Sequence, residues 1–183
     1  MDVTDPYRPR LLWEINHNSD KVPTFPALGK FSKLGYTFGK PMLTTMLINW
    51  KGTLMERAVA VLPGGAALKF NNTAPTMQLD TGSTMGGVVY MVDLETGEFI
   101  REILPLDASV GITAGKERSV AATPVGFGVA PSLTSRIFIA DVLGRIFRVD
   151  TQDSNPCAAG EPQQICYGSP GDGWRTRLFY NLF

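Results

Sequence analysis

The sequence predicts an all-β fold, a partial β-propeller whose blades each contain four antiparallel strands and carry long inserted loops. Three observations predict it. Glycine and proline are frequent, with 19 and 13 residues in a chain of 183, and such a chain has many turns and short elements. Short β-branched and aromatic runs recur between turn residues. No stretch combines helical periodicity with capping residues.

The clearest local signal is a hairpin over residues 86–104. Residues 88–92 are β-branched and aromatic, open on a glycine pair and close on Asp93. Such a run is typical of a strand. The next residues are typical of a turn, because Gly97 can adopt a positive φ. Residues 98–104 are then expected to return as the second strand.

The same pattern recurs along the chain. Residues 136–141 and 145–150 predict a second hairpin around Gly144, and residues 144–150 align with residues 87–93. A third copy is predicted at the start, with Asp2 and Asp5 in a turn and residues 11–15 as the returning strand. Further strands are expected at residues 41–48, 57–62, 120–129 and 175–183, separated by inserted loops at residues 16–35, 63–86 and 105–119. Repeated sheets of short strands predict stacked blades, because one blade cannot bury its faces alone.

We therefore interpret residues 1–183 as part of one β-propeller domain, about two blades with flanking strands. The chain enters on the turn half of a hairpin at Asp2 and ends after a single strand at Phe183. We expect the rest of the domain to lie outside this chain.

Charge and hydropathy exclude several classes of function. The chain has 17 basic and 17 acidic residues, so no electrostatic argument favours nucleic acid or an anionic membrane. The longest apolar runs have about five residues, whereas a membrane span needs about 20. Residues 2–6 are neither basic nor apolar, so no signal peptide is expected at Met1.

Cys157 and Cys166 lie in a segment rich in glycine and proline. Two cysteines that close a small loop favour a disulfide, which implies an oxidising compartment. The alternative is a pair of free thiols in a cytosolic loop. No further cysteine or nearby histidine offers metal ligation.

The motif search predicts no catalytic, cofactor-binding or metal-binding residue. His17 is the only histidine, and no Gly-x-Ser-x-Gly elbow accompanies it. Residues 111–117 resemble a phosphate loop but are one residue short, and Glu117 stands where a hydroxyl is required. The acidic pairs Asp2/Asp5 and Asp150/Asp153 are expected to cap turns rather than to bind calcium.

Two further signals are assigned local roles. Asn71, Asn72 and Thr73 form an acceptor sequence for N-glycosylation. Trp13, Trp50 and Trp174 are expected to pack in the core or between blades.

Four motifs, in order, resemble one family. "DVTDP" at residues 2–6, followed by "LLWE" at residues 11–14, is similar to a segment of the PilY/PilC family, whose members are associated with the tip of type IV pili. "LGYTFGKP" at residues 34–41 resembles the family's "LGYTWSKP". Residues 86–97 and 140–150 resemble two hairpins of that family, which also occur in quinoprotein-type propellers. Together the motifs cover roughly residues 1–150.

The resemblance implies the C-terminal propeller domain of a non-catalytic pilus tip protein. Such a protein supports pilus assembly, controls retraction and contributes to surface adhesion and twitching motility. The implied partners are minor pilins, the remainder of its own polypeptide, and a host or abiotic surface. The implied location is the cell surface, reached through the periplasm.

The resemblance also bears on calcium. Many members of the family carry an aspartate-rich calcium loop at the place of residues 126–134. Those residues contain no carboxylate here, so we expect no calcium at this loop.

Two other functions remain open at this stage. One is a fragment of a quinoprotein-type periplasmic dehydrogenase, a class whose cofactor pocket typically uses adjacent cysteines, whereas Cys157 and Cys166 are not adjacent. The other is an intracellular propeller scaffold, in which both cysteines would be reduced.

Overall fold

A computed structural model describes residues 7–8, 11–16, 30–51, 53–71, 73, 76–130, 133–151 and 174–182. Within these ranges the chain forms ten β-strands and no α-helix, which confirms the all-β prediction. The strands are β1 (Met42–Trp50), β2 (Thr53–Pro63), β3 (Leu68–Asn71), β4 (Thr76–Leu79), β5 (Val89–Asp93), β6 (Phe99–Ile103), β7 (Val125–Ala130), β8 (Leu133–Ala140), β9 (Arg145–Asp150) and β10 (Arg175–Asn181).

Eight of these strands form two four-stranded antiparallel sheets. The first sheet has the order β1-β2-β5-β6, and the second has the order β7-β8-β9-β10. In both sheets the strands lie side by side in the order in which they occur along the chain. The predicted hairpins at residues 86–104 and 136–150 are present as β5–β6 and β8–β9.

Two predictions from the sequence are wrong. Residues 11–15 do not form a strand. Instead, Trp13 lies on the β5–β6 turn, where its indole Nε1 donates to the Leu94 carbonyl over 3.0 Å and its ring fills the space beside Gly97. This contact partly buries the indole and anchors the segment without backbone pairing between strands.

The second wrong prediction is that residues 63–86 are loop throughout. This stretch contains the β3–β4 hairpin, which forms a sheet of its own. Most of its side chains are exposed. The hairpin therefore lacks the one-sided apolar alternation by which a half-buried strand is recognised.

The two large sheets pack on one another through non-equivalent faces. We define face A by Val89 and Met91 in the first sheet and by Ile146 and Arg148 in the second, which are equivalent positions of the third strand. Face B carries the alternate residues of the same strands. Face A of the first sheet packs on face B of the second in one core, composed of Met46, Ile48, Val59, Val61, Val89, Met91, Ile103, Ile112, Val120, Ile137, Ile139, Phe147 and Val149.

Face B of the first sheet is covered by the N-terminal part of the chain. Phe31 and Leu34 pack on Tyr90 and Val92, with Trp13 at the border of this cluster. The rings of Phe31 and Tyr90 meet edge to face at 5.0 Å. Both faces of the first sheet are therefore buried, which explains why all of β5 is inaccessible to solvent.

Contacts at both ends fix how the sheets are aligned. The hydroxyl oxygens of Thr44 in β1 and Thr134 in β8 lie 2.6 Å apart. At the other end, the Arg101 guanidinium of β6 lies 4.4 Å from the centre of the Trp174 ring. The first strand of the first sheet thus lies against β7 and β8 of the second sheet, and β6 lies beside the residue that precedes β10.

Candidate functional site

The turn between β5 and β6 is organised by Asp93, which is almost completely buried. Its Oδ1 accepts hydrogen bonds from the backbone N–H of Glu95 at 3.1 Å, and from the N–H and hydroxyl of Thr96 at 2.9 and 3.0 Å. Its Oδ2 accepts from the guanidinium of Arg57 in β2, with the Nε at 2.8 Å. One carboxylate therefore closes the turn and joins it to the neighbouring strand.

These contacts set the ionisation of Asp93. Burial alone would raise the pKa of Asp93, because it disfavours the charged form. The Thr96 N–H, the Thr96 hydroxyl and the Arg57 guanidinium favour the carboxylate, and the net result is a pKa below its ordinary value of 3.8. Asp93 is therefore charged at neutral pH and has a structural role.

The β8–β9 turn of the second sheet uses a similar arrangement. Asp141 Oδ1 accepts from the N–H groups of Leu143 and Arg145 at 2.9 and 3.1 Å, and Oδ2 accepts from the Arg145 Nε at 2.6 Å. Gly144 adopts a positive φ of 73° in this turn, as Gly97 does at 71° in the other. Asp93 and Asp141 are thus turn-forming residues. Asp150, which aligns with Asp93 in the repeat and was predicted to cap a turn, instead ends β9 and accepts from the guanidiniums of Arg136 and Arg148.

An open cleft lies beside the β3–β4 hairpin. It has a volume of about 480 Å³ and is lined by Leu34, Gly35, Tyr36, Ala66, Ala67, Leu68, Asp80, Ser83 and Met85. The backbone of Tyr36 pairs with that of Ala66, which lies between β2 and β3, through two hydrogen bonds of 2.9 and 2.8 Å. Its side chain is 57% exposed, so its ring is accessible to a ligand.

The wall of the cleft is held by close backbone packing. A Cβ on Gly35 would lie 2.5 Å from the Ala66 carbonyl oxygen. Gly65 and Gly86 both adopt a positive φ, and a Cβ on Gly86 would collide with the Gly65 carbonyl. Larger residues cannot occupy these places without moving the backbone, so the position of the Tyr36 segment is tightly determined.

The cleft is chemically suited to binding. Its lining is mainly aliphatic, with the Tyr36 ring at one side and the carboxylate of Asp80 as its charged group. Asp80 Oδ1 accepts from the Gly82 N–H at 3.1 Å, and the Lys69 ammonium lies 3.8 Å away. The Ser83 hydroxyl accepts from the Met85 N–H at 3.0 Å. A ligand with an apolar body and a hydrogen-bond donor would match this surface.

The loop that resembles a phosphate loop is filled by its own side chains. The Lys116 ammonium donates to the Gly111 carbonyl at 3.0 Å, and the Glu117 carboxylate is buried beside Lys33. The lysine that would contact a phosphate is thus engaged with the loop, and a buried acid follows it.

Several residues singled out in the sequence lie outside the described ranges, namely Asp2, Asp5, His17, Asp153, Cys157 and Cys166. The predicted disulfide is among them. Of residues 126–134, the described ones belong to β7 and β8. Trp13, Trp50 and Trp174 all pack against one of the two cores, as expected.

The cleft itself was not predicted from the sequence. Leu34 and Tyr36 belong to the motif at residues 34–41, but Asp80, Ser83 and Met85 belong to a stretch interpreted as loop. The available signal was the pair of four-residue runs at residues 68–71 and 76–79, which flank residues 72–75, a turn-forming stretch with one asparagine and one proline.

Comparison with known proteins identifies no relative, because no family model, curated protein or solved structure matches the chain. Among the described residues, no three His, Cys, Asp or Glu side chains are grouped as a metal site would require. No helix in the described part of the chain has the length and apolar character to cross a bilayer.

Proposed function

We propose that this chain forms two neighbouring blades of a β-propeller in a type IV pilus tip protein of the PilY/PilC kind, and that it acts as a non-catalytic binding and assembly module. The observation that carries the proposal is the position of two family-like motifs. Residues 34–41 and 86–97 lie side by side, because Leu34 packs with Tyr90 in one cluster and the Gly86 N–H donates at 2.7 Å to the carbonyl of Lys33, the residue directly before the first motif. The cleft opens at this junction.

The way the sheets stack supports the propeller. Two sheets related by a twofold axis bury equivalent faces against each other, whereas a repeated head-to-tail contact joins unlike faces and can close into a ring. Here face A of the first sheet meets face B of the second. Each sheet also follows the chain from edge to edge in four antiparallel strands, as a propeller blade does.

The scaffold suits a binding role. Binding residues are commonly presented by loops on a rigid framework, and the cleft lies in the connections around β3 and β4 rather than in a strand ladder. Minor pilins and the surface to which the pilus attaches are the proposed partners. The predicted Cys157–Cys166 disulfide suits a protein that is exported through the periplasm.

The test is deletion of the gene in the organism that carries it. We expect the deletion strain to lose most surface pili and twitching, and the intact gene supplied in trans to restore both. Normal piliation and motility in the deletion strain would contradict the proposal. So would quinone-dependent dehydrogenase turnover by the purified protein, which would favour the quinoprotein alternative.

A matched pair of variants tests the cleft. Tyr36 and Phe38 are both exposed aromatic residues of the same motif, but only Tyr36 lines the cleft. In the complemented strain, Tyr36→Ala should lower surface attachment about tenfold at unchanged protein level, as loss of an aromatic contact worth more than about 1 kcal/mol implies. Phe38→Ala should have no effect. Equal behaviour of the two variants would remove the cleft from the proposal.

A further inference from the structure

Face A of the second sheet is open in the part of the chain that the structure describes. It is a continuous surface, because Val125 lies opposite Phe138 in the β7–β8 register and Phe138 lies opposite Arg148 in the β8–β9 register. Val125 and Phe127 are 61% and 56% exposed. The ring of Phe179 in β10 is also exposed and meets Phe138 edge to face at 5.4 Å.

The middle strands of this face are more charged than those of its counterpart. Face A of the first sheet has Val59 and Met91 at the equivalent positions, and its own arginines, Arg57 and Arg101, contact Asp93 and Trp174. In the second sheet, Arg136 and Arg148 share one carboxylate, with Asp150 accepting at 3.2 and 3.0 Å. Arg177 lies opposite Arg148 in the next strand, and its charge also acts on the Asp107 carboxylate. Among the described side chains of this face, Arg136 and Arg148 share one carboxylate, which leaves an excess of positive charge.

We propose that face A of the second sheet is a docking surface for face B of a third antiparallel sheet of the same protein, whose contacting face carries carboxylates opposite the arginines. The inference rests on the proposed propeller. The operation that places the second sheet on face A of the first would place a third sheet on face A of the second. The aromatic residues supply the apolar contact, and carboxylates on the third sheet would balance the excess positive charge of Arg136 and Arg148.

Neither alternative contact with a second copy fits. Pairing two copies of this face through a twofold axis would place arginines against arginines, which is unfavourable. A head-to-tail contact would need face B of the first sheet in the other copy. That face is already covered by Phe31 and Leu34.

The experiment is photo-crosslinking in the full protein produced by its native host. Phe127→p-benzoylphenylalanine places the probe on the face, and Phe70→p-benzoylphenylalanine, on the exposed β3–β4 hairpin, is the control. We expect the probe at 127 to cross-link within one polypeptide, to a peptide outside residues 1–183 that contains aspartate or glutamate. Arg136→Glu should lower that yield at least about fivefold through like-charge repulsion. The control should not give this product.

Other outcomes would overturn the inference. A cross-link between two copies, to a pilin or another protein, or to another part of residues 1–183 would assign the face to a different occupant. An intact probe with no product would show that the face is solvated. If the cross-link forms with a third sheet but the protein is dispensable for pili, the docking surface is supported and the proposed function is wrong. If the cross-link forms with a pilin, the proposed function is supported and the docking surface is wrong.

Discussion

Asp93 shows how single residues determine this fold. The sequence predicts its place at the end of a strand and before a turn, because aspartate accepts hydrogen bonds from nearby backbone N–H groups. It does not predict Arg57, which lies 36 residues earlier. That pairing depends on the register between β2 and β5, a tertiary property that no local pattern encodes.

Replacing Asp93 by asparagine should destabilise the protein. The substitution removes the charge and directs an N–H₂ group at the donors of Thr96 or Arg57. We expect a loss of about 3 kcal/mol in the free energy of unfolding, because one partner of a mostly buried ion pair is left without its counterpart. Urea unfolding measures this loss. Glu95→Gln, at an exposed position of the same turn, is the control and should change stability by less than about 0.5 kcal/mol.

Acid should weaken the fold through two carboxylates. Hydrogen bonds from the Ser109 hydroxyl and from the backbone N–H of Leu178 and Ser109 hold the pKa of Asp107 below its ordinary value, and the pKa of Asp93 is lowered as well. Below the ordinary value of 3.8, the unfolded chain binds protons that the folded chain does not. Stability is therefore fully present above that pH and lost as the pH falls through the folded values.

The measurement is the midpoint of urea unfolding between pH 7 and pH 3. We expect little contribution from these groups above about pH 5 and a decline below about pH 4. Asp107→Asn should make the decline shallower. A midpoint that declines equally in both proteins would argue against the role of Asp107 in joining β10 to the connection that follows β6, through the Leu178 N–H at 2.9 Å.

At the scale of elements, the β5–β6 hairpin was predictable from the sequence, whereas the packing of the Trp13 segment on its turn was not. Residues 88–104 contain a strand, a turn with glycine and a second strand in sequence, so local signals agree. Trp13 reaches this turn from outside the hairpin. The run of apolar residues at 11–13 is compatible with a strand or with a packed extended segment, and only the space beside Gly97 decides between them.

Two glycine substitutions separate backbone strain from this contact. Gly97 and Gly111 adopt similar positive φ values of 71° and 76°. A Cβ at position 97 would lie 2.5 Å from Cγ of Trp13, whereas a Cβ at 111 would meet nothing within 4 Å. Gly111→Ala should cost about 1 kcal/mol from the left-handed conformation alone, and Gly97→Ala about 3 kcal/mol because the indole is also displaced.

Calorimetry gives both costs, and tryptophan fluorescence gives the second readout. The emission maximum should shift to longer wavelength for Gly97→Ala and stay unchanged for Gly111→Ala. Equal costs with unchanged emission would show that Trp13 does not pack on the turn.

For the whole molecule, the sequence predicted repeated sheets because residues 87–93 and 144–150 align. These stretches contain the third strands of the two sheets. The alignment does not predict which faces of the two sheets pack together, because that depends on contacts between the sheets, such as the one that places Phe147 and Met91 in one core. It also does not predict the cleft, which is assembled from segments far apart in the chain.

A cysteine pair tests the stacking of the sheets. Thr44 and Thr134 face one another with their hydroxyls 2.6 Å apart, and replacing both by cysteine brings two thiols within reach of a disulfide. With Cys157 and Cys166 replaced by serine, Thr44→Cys with Thr134→Cys should form the bond on mild oxidation. Thr45→Cys with Thr134→Cys should not, because neighbouring residues of a strand face opposite sides. Peptide mapping without reduction distinguishes the two results.

The proposed function requires this pair of stacked sheets to be displayed at the tip of a type IV pilus. Immunogold electron microscopy of native cells, with an antibody raised against this chain, measures that location. We expect gold at the free ends of pili, and none on pili of a deletion strain. Gold confined to the cell interior, with pili unlabelled along their length and at their ends, would contradict it.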